Sequence, residues 1–324
     1  MTTLEAITYN HRADLERLNE RIAQQLKGSN TLMDNIVLSL LRTKGKQIRP
    51  LMVFLCASLA GGCNEKTLAS AVAVELLHNA SLIHDDVVDN SPTRRGRPTI
   101  NAVWDNHIAV LVGDYYTSSA MQQAISTGDI RIVEVLCRLG RSLSLGEIDQ
   151  IYNAREHTLT EENYYRIIDY KTASLFVASA EMGCLSAGAS PEVLSALSHY
   201  ALLFGRCFQI RDDIFDYYPS ELVGKPTGND LREGKISLPL LYVLGHPEFD
   251  GSERVRELLG RDGLSDSDIS FIQAFARDNG GIEYAFATMD HLRSRAMECL
   301  AMFPDSDIRR ELAELFDFTI KRNF

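Results

Sequence analysis

The chain has 324 residues, of which 45% are apolar and 24% charged, and its formal net charge is −11. This composition is typical of a globular protein, and the acidic balance argues against a general nucleic-acid binder, which needs a basic surface. No apolar run approaches the about 18 residues of a membrane span, and the six cysteines lack CxxC spacing. The sequence therefore predicts a cytoplasmic protein with reduced, mostly buried cysteines, no transmembrane segment and no nucleic-acid partner.

Apolar residues recur every three or four positions along almost the whole chain, which is the period of amphipathic helices. In chain order, the pattern predicts helices at 10–27, 31–42, 48–60, 65–89, 100–126, 129–153, 161–187, 190–217, 235–244, 252–260, 265–279, 281–303 and 306–322. No Gly/Ser-rich or Pro-rich linker divides them, so we predict a single all-α domain over residues 1–324. The stretch SLFVASAEMGCLSAGA is apolar on most faces and should lie inside the bundle.

The acidic pattern DDxxD occurs twice, at 85–89 and at 212–216. Each copy ends an apolar, helix-like segment, so its first and last aspartates should share one helix face, where like charges repel. This repulsion indicates a compensating cation, and Mg²⁺ fits because it prefers one or two carboxylates together with phosphate oxygens. Two copies therefore predict a diphosphate held by several Mg²⁺ ions, whereas a single copy is as readily explained as a solvated helix end.

Basic residues lie near both acidic motifs, and one pair lies at a predicted helix start, where the helix dipole favours anions. Arginine suits bidentate phosphate contacts and lysine suits a point-charge contact. The candidates are Lys46, Arg49, Arg94, Arg95, Lys171, Lys225 and Lys235. Any one of them alone would be interpreted as a solvated surface charge. His78 and Gln209 precede the two motifs on the same predicted helices and are either ligand-binding or satisfied core residues.

Several further segments accompany the two acidic motifs: GKxxRP at 45–50, RRG at 94–96, Lys-Thr at 171–172, FQxxDD at 208–213 and GNDLxEGKxxLP at 228–239. In this order, over about residues 45–240, they resemble the trans-isoprenyl diphosphate synthases, in particular the long-chain members. The resemblance implies a bundle of long helices around a deep central cavity, a homodimer, and transient membrane contact during product release. It also implies condensation of an allylic diphosphate, farnesyl or geranylgeranyl diphosphate, with successive isopentenyl diphosphates, using about three Mg²⁺ ions per active site.

The resemblance implies a role for each matching residue. The Mg²⁺ ligands would be Asp85, Asp89, Asp212 and Asp216, supported by Asp86 and Asp213. The allylic diphosphate would contact Arg94, Lys171, Thr172, Gln209, Lys225 and Lys235. The isopentenyl diphosphate would contact Lys46, Arg49, His78 and Arg95. The residues that directly promote ionisation would be Asp85, Asp86, Asp89, Arg94, Lys171, Asp212, Asp213 and Lys225, because the leaving diphosphate must be neutralised as its bond breaks.

Product length should depend on Ala80 and Ser81, which lie one helical turn before the first motif. In the family, bulky side chains here stop growth, so small ones imply a product of about C35–C50, typical of quinone side chains. The alternatives are helix–helix close packing at these positions and a shorter geranylgeranyl or farnesyl product. The floor of the cavity would then lie deeper, with Leu136 and Leu139 as candidates.

Two other functions fit parts of the pattern. A class I terpene cyclase also ionises a prenyl diphosphate with DDxxD, but it normally carries an NSE/DTE-type second motif. It also does not need the bases Lys46, Arg49 and Arg95 for a second diphosphate. A non-catalytic subunit of a heteromeric synthase typically loses the aspartates or the phosphate-binding bases, all of which are present here.

Overall fold

The computed structural model describes residues 2–27, 30–41, 45–156, 160–219, 227–261 and 263–322. The helices within these ranges are α1 (Thr3–Asn10), α2 (Arg12–Leu26), α3 (Thr31–Leu41), α4 (Ile48–Ala60), α5 (Glu65–Val88), α6 (Ile100–Val103), α7 (Asn106–Ser126), α8 (Ile130–Glu156), α9 (Glu161–Ile168), α10 (Ser174–Ser186), α11 (Pro191–Phe215), α12 (Asn229–Arg232), α13 (Leu238–Leu244), α14 (Ser252–Leu259), α15 (Asp266–Asp278), α16 (Gly281–Leu300) and α17 (Asp307–Lys321). A π-helix, Asp169–Ala173, connects α9 to α10. Within the described ranges the strands are β1 (Thr93–Arg94) and β2 (Arg97–Pro98), an antiparallel pair. The predicted all-α class is confirmed.

The helices pack into two compact units, each assembled from several segments of the chain. Unit 1 comprises Met1–Arg141, Leu175–Ser198 and Phe303–Leu312. Unit 2 comprises Ser142–Ser174, His199–Met302 and Ala313–Phe324. The expectation of a single domain over residues 1–324 stays a prediction.

Unit 1 is organised around apolar helices that are buried on most faces. Helix α5 buries most of its residues from Thr67 to Ala80, and α10 buries nearly all of its length, as predicted for the SLFVASAEMGCLSAGA stretch. Gly183 lets α10 approach α4, because a Cβ there would lie 2.5 Å from the Val53 carbonyl oxygen. This close packing holds α10 against α4, which carries the predicted phosphate-binding residue Arg49.

The core of unit 2 contains an aromatic cluster on α11 and α17. The rings of Tyr200 and Phe204 are 6.3 Å apart, and Phe316 packs edge-on against both, at 5.9 and 5.6 Å. All three side chains are fully buried. Such edge-to-face pairs add to the burial energy of large aromatic residues. The cluster fixes α11, which carries the second acidic motif at its end.

Local signals account for the differences from the predicted helices. Helix α1 was not predicted, although Thr2 and Glu5 form a capping box at its start. The predicted 100–126 helix is broken at Trp104, because Asp105 accepts a hydrogen bond from the Ile108 amide and starts a new helix. The predicted start at 235 is three residues early, since the amide of Lys235 still closes the preceding turn.

Two further expectations concern membranes and cysteines. Within the described ranges, each helix is too short or too polar to cross a membrane. All six cysteines are free thiols; Cys56, Cys184 and Cys207 are buried, Cys299 is half-buried, and Cys63 and Cys137 are exposed, so the prediction of burial holds for three of the six. Burial raises the pKa of the Cys184 and Cys207 thiols to about 12, so these two are unreactive core residues.

Candidate active site

The first acidic motif lies at the end of α5 in unit 1. Asp85 is half-buried and Asp89, which follows the last helical residue, is exposed, whereas Asp86 is buried. Because Asp86 follows Asp85 directly, it is turned about 100° around the helix axis and faces another side. The first and last carboxylates of the motif are therefore the ones accessible to a ligand.

Asp86 links α5 to the hairpin formed by β1 and β2. Its Oδ1 accepts a hydrogen bond from Nε of Arg94 at 2.8 Å. Burial raises the pKa of the Asp86 carboxyl, and the Arg94 guanidinium opposes this shift. The amide of Ser91 and the side chain of Asn101 also donate to the Asp86 carbonyl, at 2.9 and 3.2 Å. These contacts hold the RRG turn next to the acidic motif.

Unit 1 also contains a cluster of positive charges near His78. The side chain of His78 is only 9% exposed, and its Nδ1 has no hydrogen-bond partner among the described residues. Burial and the charges of Arg49, Arg95 and Arg94 hold the pKa of His78 well below its usual value, so the imidazole is neutral. The Arg49 guanidinium lies 4.9 Å from the ring centre of Phe176. The structure therefore brings Arg49, Arg95 and His78 together.

Glu75 is a member of this cluster that the sequence reasoning missed. It is buried one turn before His78 on α5, where burial raises its pKa and the nearby Arg49 and Arg95 lower it. A glutamate within the apolar stretch AVAVELL was a visible signal. One buried acid beside several cations leaves the cluster positive, and Lys46 adds an exposed charge just before α4. This side of unit 1 suits an anion.

The second acidic motif lies at the end of α11 in unit 2. Asp212 is half-buried and Asp213 is buried, while Asp216 lies in the turn after the helix. The carboxylate of Asp216 accepts hydrogen bonds from the amides of Gly228, Asn229 and Asp230, at 2.8, 3.3 and 3.3 Å. These three amide contacts hold the Asp216 carboxylate in place at the end of α11. They also fix the start of the GNDL segment.

Asp213 belongs to a hydrogen-bonded chain of four side chains. Thr172 donates to the amide oxygen of Gln209 at 2.6 Å, and the amide nitrogen of Gln209 donates to Asp213 Oδ1 at 2.7 Å. The buried hydroxyl of Tyr164 donates to Asp213 Oδ2 at 2.6 Å. Burial and the nearby Asp230 raise the pKa of Asp213. Tyr164 was missed by the sequence reasoning, and the network fixes three residues that it singled out.

This network borders a cavity of about 280 Å³ within unit 2. Nζ of Lys171, in the π-helix, lies 2.5 Å from Glu147 Oε2 and donates to Gln150 Oε1 at 2.9 Å. Nζ of Lys235 lies 2.5 Å from Glu233 Oε2. Lys225 lies outside the described residues. The polar lining of the cavity includes Lys171, Thr172, Gln209, Asp213, Asp230 and Lys235.

The C-terminal segment reaches the second acidic motif. Nη2 of Arg322 lies 2.6 Å from Asp212 Oδ1 and also donates to the Phe208 carbonyl at 3.2 Å. The Arg322 guanidinium lies 4.4 Å from the ring centre of Phe208, and its side chain is only 10% exposed. Arg211 in turn donates to the carbonyl of Arg322. A basic residue near the chain end is visible in the sequence, but its position could not be predicted.

The donor sets of both motifs fit Mg²⁺. Among the described residues, no group of three or more His, Cys, Asp or Glu forms a metal cage. Mg²⁺ does not need one, because it is usually held by one or two carboxylates together with waters and substrate phosphates. The accessible carboxylates of Asp85, Asp89 and Asp212 provide such partial sets.

The two small residues before the first motif differ in environment. Ala80 is 0% exposed, which favours the helix-packing alternative at that position. Ser81 is half-buried and its hydroxyl donates to the His78 carbonyl at 2.9 Å. Of the two, Ser81 is therefore the residue whose side chain is partly accessible. Leu136 and Leu139 are both buried on α8.

Comparisons with known proteins agree with one another. Residues 30–275 match the family model for polyprenyl synthetase. The chain is 32% identical to the octaprenyl diphosphate synthase of Haemophilus influenzae over 312 residues, covering 96% of this chain and 94% of that protein. It is similar to the structure of a decaprenyl diphosphate synthase from Rhodobacter capsulatus (31% identity, TM-score 0.93, 99% of both chains). It is also similar to a polyprenyl synthase from Caulobacter crescentus complexed with calcium and isoprenyl diphosphate (33% identity, TM-score 0.91, 99% and 98%). The chain therefore belongs to the polyprenyl synthetase family and is a trans-prenyltransferase.

Proposed function

We propose that the chain is a Mg²⁺-dependent synthase that condenses farnesyl or geranylgeranyl diphosphate with successive isopentenyl diphosphates. The observation that carries the proposal is the positive cluster of unit 1, formed by Arg49 and Arg95 around the neutral His78. A second diphosphate needs such a site, whereas a terpene cyclase, which ionises one diphosphate, does not. Lys46 and the start of α4 extend the cluster toward solvent.

Carboxylates of both acidic motifs are the proposed Mg²⁺ ligands. The proposed ligands are Asp85, Asp89, Asp212 and Asp216, with about three Mg²⁺ ions per active site that also bind substrate oxygens. Bound Mg²⁺ would neutralise charge that develops on the leaving diphosphate. Support for a divalent metal also comes from the calcium bound to the Caulobacter crescentus relative.

The basic residues would act on the allylic diphosphate. Lys171 is held by Glu147 and Gln150 at the cavity of unit 2, and Lys235 lines the same cavity. Their fixed charges favour departure of the diphosphate, because they are in place before the negative charge develops. The hydroxyl of Thr172 and the amide of Gln209 supply neutral hydrogen bonds beside them, and Arg94 and Lys225 would add two further charges. The proton lost at the end would go to the departing diphosphate, so no side-chain base is required.

We also propose a long-chain product, about C35–C50, for quinone side chains. The half-buried Ser81 is small, so it leaves room for a growing chain one turn from Asp85. The octaprenyl and decaprenyl relatives are consistent with this length. A geranylgeranyl or farnesyl product is the alternative.

A homodimer is proposed from exposed apolar side chains on α7. Leu111 and Ile125 are 63% and 64% exposed, and Met121 lies between them at 43%. Large exposed apolar side chains grouped on one helix are typical of an interaction surface. Leu111→Asp should dissociate the dimer in analytical ultracentrifugation, while Leu38→Asp, at a similarly exposed position on α3, should not. A wild-type monomer would refute the dimer.

One experiment tests the function directly. The purified chain is incubated with Mg²⁺, farnesyl diphosphate and labelled isopentenyl diphosphate, and the product is sized after dephosphorylation. Incorporation of label excludes a terpene cyclase, and activity of the chain alone excludes a non-catalytic subunit. No incorporation with either allylic primer would refute the proposal. Activity that fractionates with the cytoplasm would support the expected location.

A further inference from the structure

Gly45 and Arg95 approach each other closely in unit 1. A Cβ built on Gly45 would lie 2.8 Å from both Nη1 and Nη2 of Arg95 and 3.1 Å from its Cζ. The Arg95 guanidinium therefore packs flat against the backbone at Gly45, in space that any side chain would fill. Real Cβ atoms essentially never come within 3.0 Å of another heavy atom, so alanine at this position requires a shift.

Backbone conformation does not explain why glycine occupies position 45. Its φ lies outside the left-handed region, so an L-residue can adopt the same backbone. The strained residues are its neighbours: Gln47, at φ +50°, is held by two side-chain amide contacts with Asn19, and Arg95 itself has φ +53°. Strain of this kind persists where the surrounding structure fixes it, and it clusters at functional sites.

The base of the Arg95 side chain is fixed by the hairpin. Arg94 pairs with Arg97 across β1 and β2, and Asp86 holds Arg94. Arg95 lies in the turn between these strands. With the backbone held, the direction of the Arg95 side chain depends on what its guanidinium packs against, and the backbone at Gly45 is one such surface.

We propose that Gly45 is a positioning residue: its missing side chain sets the Arg95 guanidinium in the cluster that binds the isopentenyl diphosphate. This rests on the proposed role of Arg95. In Gly45→Ala, the new methyl group displaces the guanidinium. The side chain of Arg95 is long and exposed, so its guanidinium shifts more readily than the backbone. Substrate binding therefore changes while stability does not.

The test is a double-mutant cycle on the full-length enzyme. Gly45→Ala should raise KM for isopentenyl diphosphate about tenfold, as expected for loss of one charge-assisted hydrogen bond, and leave KM for farnesyl diphosphate unchanged. In an Arg95→Ala background, the same change should have no further effect, because Gly45 acts only through Arg95. Direct titration with isopentenyl diphosphate should show the same pattern.

Gly140→Ala is the matched control. It lies within α8 with an ordinary φ, and a Cβ added there would meet no heavy atom within 4 Å. It should leave both KM values unchanged. The proposal is overturned if Gly45→Ala raises KM equally with and without Arg95, or if Arg95→Ala raises KM and Gly45→Ala does not. If Arg95→Ala itself leaves KM unchanged, the assigned role of Arg95 fails, and this inference fails with it.

Discussion

Removing one hydroxyl group tests the network around Asp213. The Tyr164 hydroxyl donates to Asp213 Oδ2 at 2.6 Å inside unit 2, and the other carboxyl oxygen is bonded to Gln209. Tyr164→Phe keeps the ring and its packing but leaves a buried carboxyl oxygen without this donor. The prediction is a loss of stability that arises almost entirely from one hydrogen bond.

The size of the loss follows from the burial and charge of the carboxyl. Hydrogen bonds to charged groups contribute about 1.5–3 kcal/mol, and a neutral one contributes about 1 kcal/mol. Because burial and Asp230 raise the pKa of Asp213, its charge is incomplete, and we expect about 1.5–2 kcal/mol. The unfolding entropy of a 324-residue chain is about 0.7 kcal/mol per kelvin, so the melting temperature should fall by about 2–3 °C.

The neighbouring Tyr165 provides the matched control. Its half-buried ring lies 5.2 Å from the Arg206 guanidinium, and its hydroxyl takes no part in the Asp213 network. Tyr165→Phe should therefore change the free energy of unfolding by less than about 0.5 kcal/mol. Urea and thermal unfolding of both variants give the comparison. A Tyr164→Phe loss no larger than that of Tyr165→Phe would refute the network.

Three further predictions follow from other contacts. In urea titrations the wild-type protein should lose stability as the pH falls below 6.5, because the folded chain keeps His78 neutral while the unfolded chain takes up a proton there. His78→Gln removes this proton uptake and should make that loss smaller. Arg322→Gln should cost about 1–3 kcal/mol in thermal unfolding through its bond to Asp212, whereas Lys321→Gln, at an exposed position, should cost less than about 0.5 kcal/mol. Ser81→Phe should shorten the product in a chromatographic assay. An unchanged product length would mean that a residue other than Ser81 limits chain growth.

The fold was predictable where the helical period is uninterrupted. Helix α4 has the predicted bounds, and α5 ends within one residue of its prediction, because their apolar faces and end signals agree. The π-helix was not predictable, since the apolar pattern of 161–187 continues through it. The π-helix also packs against a segment distant in sequence, which no local pattern shows. A Cβ on Gly146 would lie 2.9 Å from the Cβ of Tyr170, so α8 is in direct contact with the π-helix.

The candidate site was predictable from chemistry, but its internal partners were not. Carboxylates and bases at motif spacing indicated the anion and metal chemistry without any knowledge of the fold. Tyr164 and Arg322 contact the second motif across 49 and 110 residues of sequence, and no local pattern encodes such contacts. Glu75 is different, because a charged residue inside the apolar stretch AVAVELL is a local signal that could have been used.

The two acidic motifs use their aspartates in the same way. In each, the first aspartate, Asp85 or Asp212, is half-buried, and the second, Asp86 or Asp213, is buried and bonded to protein groups. Helical geometry accounts for the division, because adjacent residues point about 100° apart and cannot both face one ligand. The second aspartates therefore act through other residues: Asp86 through the hairpin that carries Arg94, and the other through Gln209 and Thr172. The expectation was that the second aspartates support the metal ligands. In the structure they are bonded instead to Arg94 and Gln209, two side chains that we propose as diphosphate contacts.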